Sequence, residues 1–199
     1  MKRRDFVKTG LAAGAVSALP GTLLAQEEIY QRTPRDAEGP FYPVGSRSND
    51  QPDMLATMQT QRGDILYLNG TVTDVYGARV AGALVDLWQT DPEGRYRHPS
   101  DTSPGERYED FAYWGKATIS EDGRFSFRTY VPGAYTPRPA HIHYKVFRDN
   151  RPVLTSQIYF RELGGKKGHS FSRQNEDLLV ASLVQIKPDT FETDFRVVI

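Results

Sequence analysis

The stretch "WGKATISEDGRFSFRTYV", residues 114–131, decides the fold. On either side of "EDG" the residues are rich in β-branched and aromatic types, and the triplet between them has the acidic and glycine residues that a tight turn needs. Beyond the turn, Phe125, Phe127, Thr129 and Val131 alternate with Arg124, Ser126 and Arg128. A strand sends alternate residues to opposite faces, so this is a strand, a turn and a second strand with one buried and one solvated face.

The same punctuation recurs in both directions along the chain. "ILYLNGTVTDV" from Ile65 is followed by the turn "YGARVAG", then "ALVDLWQT", then "DPEG" with Pro and Gly placed for a second turn. Downstream come "VLTSQIYF" and "TFETDFRVVI", in which Phe191, Thr193, Phe195 and Val197 alternate with charged residues. Six or more short strands at regular spacing predict an all-β chain, a β-sandwich with little helix. "NEDLLVASLVQI" is compatible with one short helix or with another strand, and "LGGKKGHSF", with His169, reads as a polar surface loop.

A chain of 199 residues holds one respectable core, so a single folded unit is expected. The first 25 residues read as an address. "KRRDFVKTG" and the apolar, small-residue run "LAAGAVSALPGTLLA" have the charged region, apolar region and Ala cleavage site of an export signal, and Arg3 with Arg4 points to the twin-arginine type. Export to the periplasm or beyond is therefore expected, with no membrane attachment of the mature protein, because the run is short and broken by Pro20. Residues 26–62 are polar, rich in Pro, Gly, Asp and Arg, and without periodicity, which suggests an ordered arm wrapped on a sandwich of residues 63–199.

Charge and cysteine usage remove several function classes. There are 25 basic and 25 acidic residues and no basic run, so a nucleic-acid partner is not expected. Loss of residues 1–25 takes away Lys2, Arg3, Arg4 and Lys8 against Asp5, which leaves a mature chain three units negative. With no cysteine there are no disulfides, iron–sulfur clusters or thiolate sites. Any metal must be held by His, Tyr or carboxylate.

Candidates for such a site cluster in "PGAYTPRPAHIHYKV", residues 132–146. If a strand begins at His141, then His141 and His143 share one face while Ile142, Tyr144 and Val146 take the other. With Tyr135 from the same stretch and Tyr96 from "EGRYRH", the two imidazoles give four nitrogen and oxygen donors.

The blocks "EGPFYP", "VAGALVDLWQTDPEGRYRH", "GKATISEDGRFSFRTYVPGAY", "RPAHIHYKV" and "LTSQIYF", in that order, resemble the intradiol ring-cleavage dioxygenases. This family of non-haem ferric enzymes includes the protocatechuate 3,4-dioxygenases and catechol 1,2-dioxygenases. The resemblance implies an Fe(III) cofactor, a small aromatic diol and O2 as reactants, and ring cleavage between the two hydroxylated carbons to a muconate-type diacid. It makes Tyr96 the equatorial and Tyr135 the axial tyrosinate, the latter leaving the metal when substrate binds. His141 becomes the axial and His143 the equatorial histidine. Arg138 matches the arginine that sits beside the substrate and stabilises developing negative charge, and Gln157 the glutamine near the metal-bound hydroxide.

The donor types suit that cofactor. A free tyrosine has a pKa of about 10, so it ligates at neutral pH only where a highly charged ion displaces its proton. Hard ferric iron does so, and two phenolates favour it over zinc or copper on the same scaffold. The chain departs from the family in two places. Only "TPRPA" separates Tyr135 from His141, where family members usually have a longer loop, and the N-terminal helical dimerisation region of catechol 1,2-dioxygenases is absent. The size is closer to the iron-binding subunit of protocatechuate dioxygenases. At about 3.3 Å per extended residue, the short segment still lets both side chains reach one ion, with a more open pocket expected. A homo-oligomer stays open, and a secreted β-sandwich binding module without catalysis is the alternative function.

Overall fold

Turn chemistry sets the strand boundaries. Gly123, at φ 74°, closes the "EDG" turn by donating its N–H to the Ser120 carbonyl at 2.9 Å. Asp149 and Asn150 both take left-handed φ values, 50° and 59°, the conformation a two-residue hairpin requires. The computed structural model describes residues 29–44, 50–164 and 176–199. The expected signal, residues 1–25, and His169 lie outside them.

Nine strands are present among the described residues: β1 (Ile65–Thr73), β2 (Leu84–Gln89), β3 (Trp114–Thr118), β4 (Arg124–Tyr130), β5 (His141–Arg148), β6 (Arg151–Phe160), β7 (Val180–Ala181), β8 (Val184–Lys187) and β9 (Thr190–Val198). They form a four-stranded sheet in the order β4-β1-β9-β8 and a five-stranded sheet in the order β3-β2-β5-β6-β7. Most pairings are antiparallel; β1 with β9 and β6 with β7 are parallel. The segment that sequence left between helix and strand contains both, a 3-10 turn at Glu176–Leu179 followed by β7 and β8.

The predicted alternation places the core between the sheets. Leu66, Leu68, Val72, Phe125, Phe127, Phe195 and Val197 face it from one side, and Val85, Leu87, Ile142, Tyr144, Val146, Leu154 and Ile158 from the other. Burying these side chains is the main stabilising term, about 25 cal/mol for each Å² of apolar surface removed from water.

The aperiodic residues 29–44 and 50–62 run along the sandwich through backbone hydrogen bonds: Tyr30 N–H to Val75, Thr33 N–H to Val198, Asp36 N–H to Thr155 and Met54 N–H to Arg128. Side chains then tie residues 35–42 across the outer face of the five-stranded sheet. Arg35 donates to the Val153 carbonyl at 2.6 Å, Glu38 pairs with Lys145 at 2.7 Å, and Tyr42 donates to Asp86 at 2.8 Å. Under this cover β5 is buried on both faces from His141 to Lys145 and β6 from Ser156 to Phe160, and the candidate site sits there.

Candidate metal centre

β5 lies in the middle of the five-stranded sheet, paired with β2 and β6. The two-residue period turns Ile142, Tyr144 and Val146 into the inter-sheet core and His141 and His143 outward. Outward here does not mean solvated, since His141 is 2% and His143 1% exposed. The register puts Trp88 directly beside His143 on β2, Gln157 beside it on β6, and Tyr159 beside His141. The indole of Trp88 stacks on the His143 ring at 4.8 Å and 8° between planes, which fixes its tilt.

Tyr96 and Tyr135 come from loops that dock on each other. In "DPEG", the Asp91 N–H donates to the Arg95 carbonyl at 2.8 Å and the Gly94 N–H to the Asp91 carbonyl at 3.0 Å. The turn then holds the segment before Tyr135: Gly133 N–H donates to the Asp91 carbonyl at 2.9 Å, and Thr90 Oγ1 to the Gly133 carbonyl at 2.8 Å. Gly94 has φ +81°, and a Cβ there would lie 2.1 Å from the Ala134 carbonyl oxygen, so only glycine permits this approach. Tyr96 is clamped at its backbone, its N–H donating to Asp101 Oδ2 and its carbonyl accepting from Arg107 Nε at 2.7 Å. Tyr135 and Arg138 bridge each other across a tight turn, the Tyr135 N–H donating to the Arg138 carbonyl at 3.2 Å.

Four rings thereby close a circuit. Centroid separations are 5.5 Å for Tyr135–His141, 4.7 Å for His141–His143, 6.2 Å for His143–Tyr96 and 5.6 Å for Tyr96–Tyr135. Five residues between Tyr135 and His141 are thus enough to bring the two together. The two Nε2 atoms are 3.1 Å apart. His141 Nδ1 lies 2.7 Å from the Pro139 carbonyl oxygen; Nδ1 therefore carries the ring proton and Nε2 presents its lone pair. Two nitrogens each about 2.1 Å from one ion and at a right angle stand about 3.0 Å apart, the spacing found here.

The electrostatics keep all four rings uncharged. Burial lowers His141 to about 4 and takes His143 well below the usual imidazole range, with His141 and Arg138 lowering it further, so both are neutral ligand forms at pH 7. Burial also pushes Tyr96 well above the ordinary phenol value, with Tyr135 adding to the effect, and raises Tyr135 against the pull of Arg138. The buried Tyr96 hydroxyl lies beside that of Tyr135 and has no other hydrogen-bond partner among the described residues. Phenols in such surroundings give up their protons only to a strong positive charge. No cluster of three or more His, Cys, Asp or Glu exists among the described residues, so an ion here needs the phenol oxygens. Tyr96, Tyr135, His141 and His143 fit a hard transition-metal cation.

Arg138 and Gln157 stand beside the circuit. Arg138 Nη2 donates at 2.6 Å both to Gln157 Oε1 and to Tyr159 Oη. Gln157 Nε2 donates to the Ala37 carbonyl at 2.6 Å, which fixes the amide so that Oε1 faces Arg138. The guanidinium charge reaches all four ring side chains. All six residues singled out from sequence therefore meet in one place. Trp88, Tyr159, Asp36 and Phe41, which stacks on Tyr96 at 4.5 Å, were missed. Tyr159 had a signal, since it follows Gln157 by two on a strand; the others depend on pairing order and on an arm with no period.

A β-sandwich that brings two buried histidines, a buried tyrosine and a half-buried tyrosine together at one point outside its core defines a class of scaffold with nitrogen and phenol-oxygen donors suited to a metal. A family model described as a dioxygenase matches residues 37–186, which is 150 of the 199 residues, and the chain belongs to the intradiol dioxygenase family. It is 32% identical over 150 residues to catechol 1,2-dioxygenase 1 of Acinetobacter lwoffii, covering 66% of this chain and 47% of that protein. It is 30% identical over 167 residues to a chlorocatechol 1,2-dioxygenase of Pseudomonas putida, covering 74% of this chain and 61% of that one. The chain thus spans about half the length of the curated relatives it matches. Among solved structures, it superposes with a TM-score of 0.68 and 29% identity on the dioxygenase domain of a dioxygenase carbohydrate-binding protein fusion from the cellulolytic bacterium Streptomyces sp. SirexAA-E. That match covers 85% of this chain and 98% of the other.

Proposed function

We propose that the protein is a non-haem Fe(III) intradiol dioxygenase that cleaves a catechol-type ring between its two hydroxylated carbons, both atoms of O2 ending in a muconate-type diacid. The observation that carries this reading is the circuit of Tyr96, Tyr135, His141 and His143 with its two Nε2 atoms 3.1 Å apart. Family membership and the names of the relatives support it. These four residues would hold the ion, which when bound would supply the Lewis acidity that keeps the catechol deprotonated and electron-rich.

The rest of the chemistry falls to side chains. Tyr135 is the less buried of the two tyrosines and stands on a turn, so its Oη is the atom best placed to take up a proton from a catechol hydroxyl. Arg138 lies beside the circuit and offsets the negative charge that the substrate gains on losing its protons. Gln157, locked by Ala37, holds the guanidinium on one side. His141 and His143 stay neutral and keep their geometry, one through Pro139 and the other through Trp88.

The test is the visible spectrum of the purified protein with metal content quantified, before and after catechol is added without oxygen. Stoichiometric iron, a reddish tyrosinate charge-transfer band and a shift of that band on adding catechol are expected. A protein that stays colourless after reconstitution with iron would overturn the reading and leave a binding module on the same scaffold.

A further inference from the structure

We infer that Asp36 and Tyr159 are positioning residues that hold Arg138 in place beside the candidate metal centre. The inference rests on the dioxygenase reading for what Arg138 does there, but its geometry stands by itself. Asp36 belongs to the aperiodic arm, yet it is 8% exposed, and its backbone is fixed to β6 by the bond from its N–H to the Thr155 carbonyl at 3.1 Å. Tyr159 is fully buried on β6, with its ring 5.6 Å from that of His141.

The donors and acceptors fix the direction of each bond. Asp36 Oδ1 accepts from the Ala37 N–H at 2.7 Å, which leaves Oδ2 for Tyr159 Oη at 3.1 Å. Tyr159 Oη is also 2.7 Å from Gln157 Oε1, but the hydroxyl has one proton to give. Gln157 Oε1 already accepts from Arg138, whereas a carboxylate is the stronger acceptor, so the proton goes to Asp36. The lone pairs of Tyr159 Oη then face Arg138 Nη2 at 2.6 Å. In this way a carboxylate on the arm decides that Tyr159 accepts from the guanidinium instead of competing with it for Gln157. Among the described residues Arg138 Nε is buried and has no partner, and both side-chain bonds of the guanidinium come from its Nη2 end.

Substituting Asp36 reverses the pattern in a defined way. In Asp36→Asn the amide oxygen stays with the Ala37 N–H and the NH2 group turns to Tyr159, which must then send its own proton toward Gln157 Oε1, the acceptor that Arg138 uses. Tyr159→Phe removes the second acceptor without changing the ring. Neither variant replaces any of the four ring donors, although Tyr159 packs beside His141 and the Asp36 charge acts on that imidazole.

The experiment reads Arg138 directly. The full chain, freed of metal by a chelator, is 15N-labelled, and the exchange of the Arg138 guanidinium protons is followed by NMR, with the signals identified by their loss in Arg138→Lys. Tyr159→Phe and Asp36→Asn are each expected to speed that exchange at least tenfold. In the iron-loaded protein they are expected to lower kcat for catechol about tenfold while KM changes less than twofold and iron content is kept, the pattern of a misplaced group acting in the transition state. Asp36→Glu should recover part of both effects. Unchanged exchange in both variants overturns the inference, even if they unfold at lower temperature. If Tyr159→Phe fails to fold, Asp36→Asn carries the test. Faster exchange in a protein whose wild type turns over no catechol would refute the dioxygenase reading and leave the positioning of Arg138 supported.

Discussion

The two sheets follow the same alternation, yet their outer faces differ in kind. On the four-stranded sheet the outward residues include Asn69, Arg124, Ser126, Glu192 and Asp194, which are half-buried or exposed and line a groove of about 890 Å³. Their polar groups meet water or each other, as in the 2.6 Å bond from Asn69 to Glu192. On the five-stranded sheet the outward residues Asp86, Trp88, His141, His143, Gln157 and Tyr159 are all buried. The difference is made by the arm, through Glu38, Gly39, Phe41 and Tyr42. On the open face the polar groups are solvated, whereas under the cover burial holds the His141 and His143 imidazoles in their neutral, ligating forms.

The sharpest way to break this contrast is to remove one imidazole. His143→Ala is expected to lower iron occupancy and catechol turnover at least a hundredfold, whereas Ser126→Ala, on the other outer face, should keep both and change stability by less than about 0.5 kcal/mol. Metal analysis and urea unfolding of the pair check this. A smaller effect is expected at the cover itself. Gly39 has φ +70°, and a Cβ there would stand 3.3 Å from His143 Cε1, so Gly39→Ala should cost about 1 kcal/mol in unfolding free energy and shift the charge-transfer band by displacing the ring.

The smallest effect concerns pH and the second half of the arm. Burial pushes the Asp110 carboxyl up, but bonds from the Gln59 and Thr60 N–H groups and its own, together with Arg62, bring it below the ordinary carboxylate value. A depressed carboxyl stabilises the fold above its unfolded pKa of about 3.9 and loses that stabilisation as pH falls through the folded value. Asp110→Asn should therefore be less stable than wild type by about 0.5 kcal/mol at pH 7, and the gap should close below about pH 4 in parallel urea titrations.

How much of this was legible depended on the range of the interactions. The facing of His141 and His143 away from Ile142, Tyr144 and Val146 follows from a two-residue period, which is local, and it was read correctly. So was the "EDG" turn. The docking of "DPEG" on Gly133, which joins Tyr96 to Tyr135, spans some 40 residues and was available only through family resemblance. Trp88 was invisible because nothing in "LVDLWQ" says that β2 will lie beside β5. Asp36 was invisible for a further reason, that an arm without periodicity gives no sign of which side chain it buries.

The parallel pairing of β1 with β9 has a consequence for the order of assembly. The five-stranded sheet is built largely from neighbours in sequence, and β5 and β6 are joined by a two-residue hairpin. The other sheet cannot exist until Ile65 meets Thr190, 125 positions along the chain. Closing a loop of that length carries an entropic penalty of about 4 kcal/mol before any of its hydrogen bonds form, and contacts of such separation are the ones that slow folding. The half of the molecule without the candidate metal ligands is thus the half that sets the pace at which the protein becomes a sandwich.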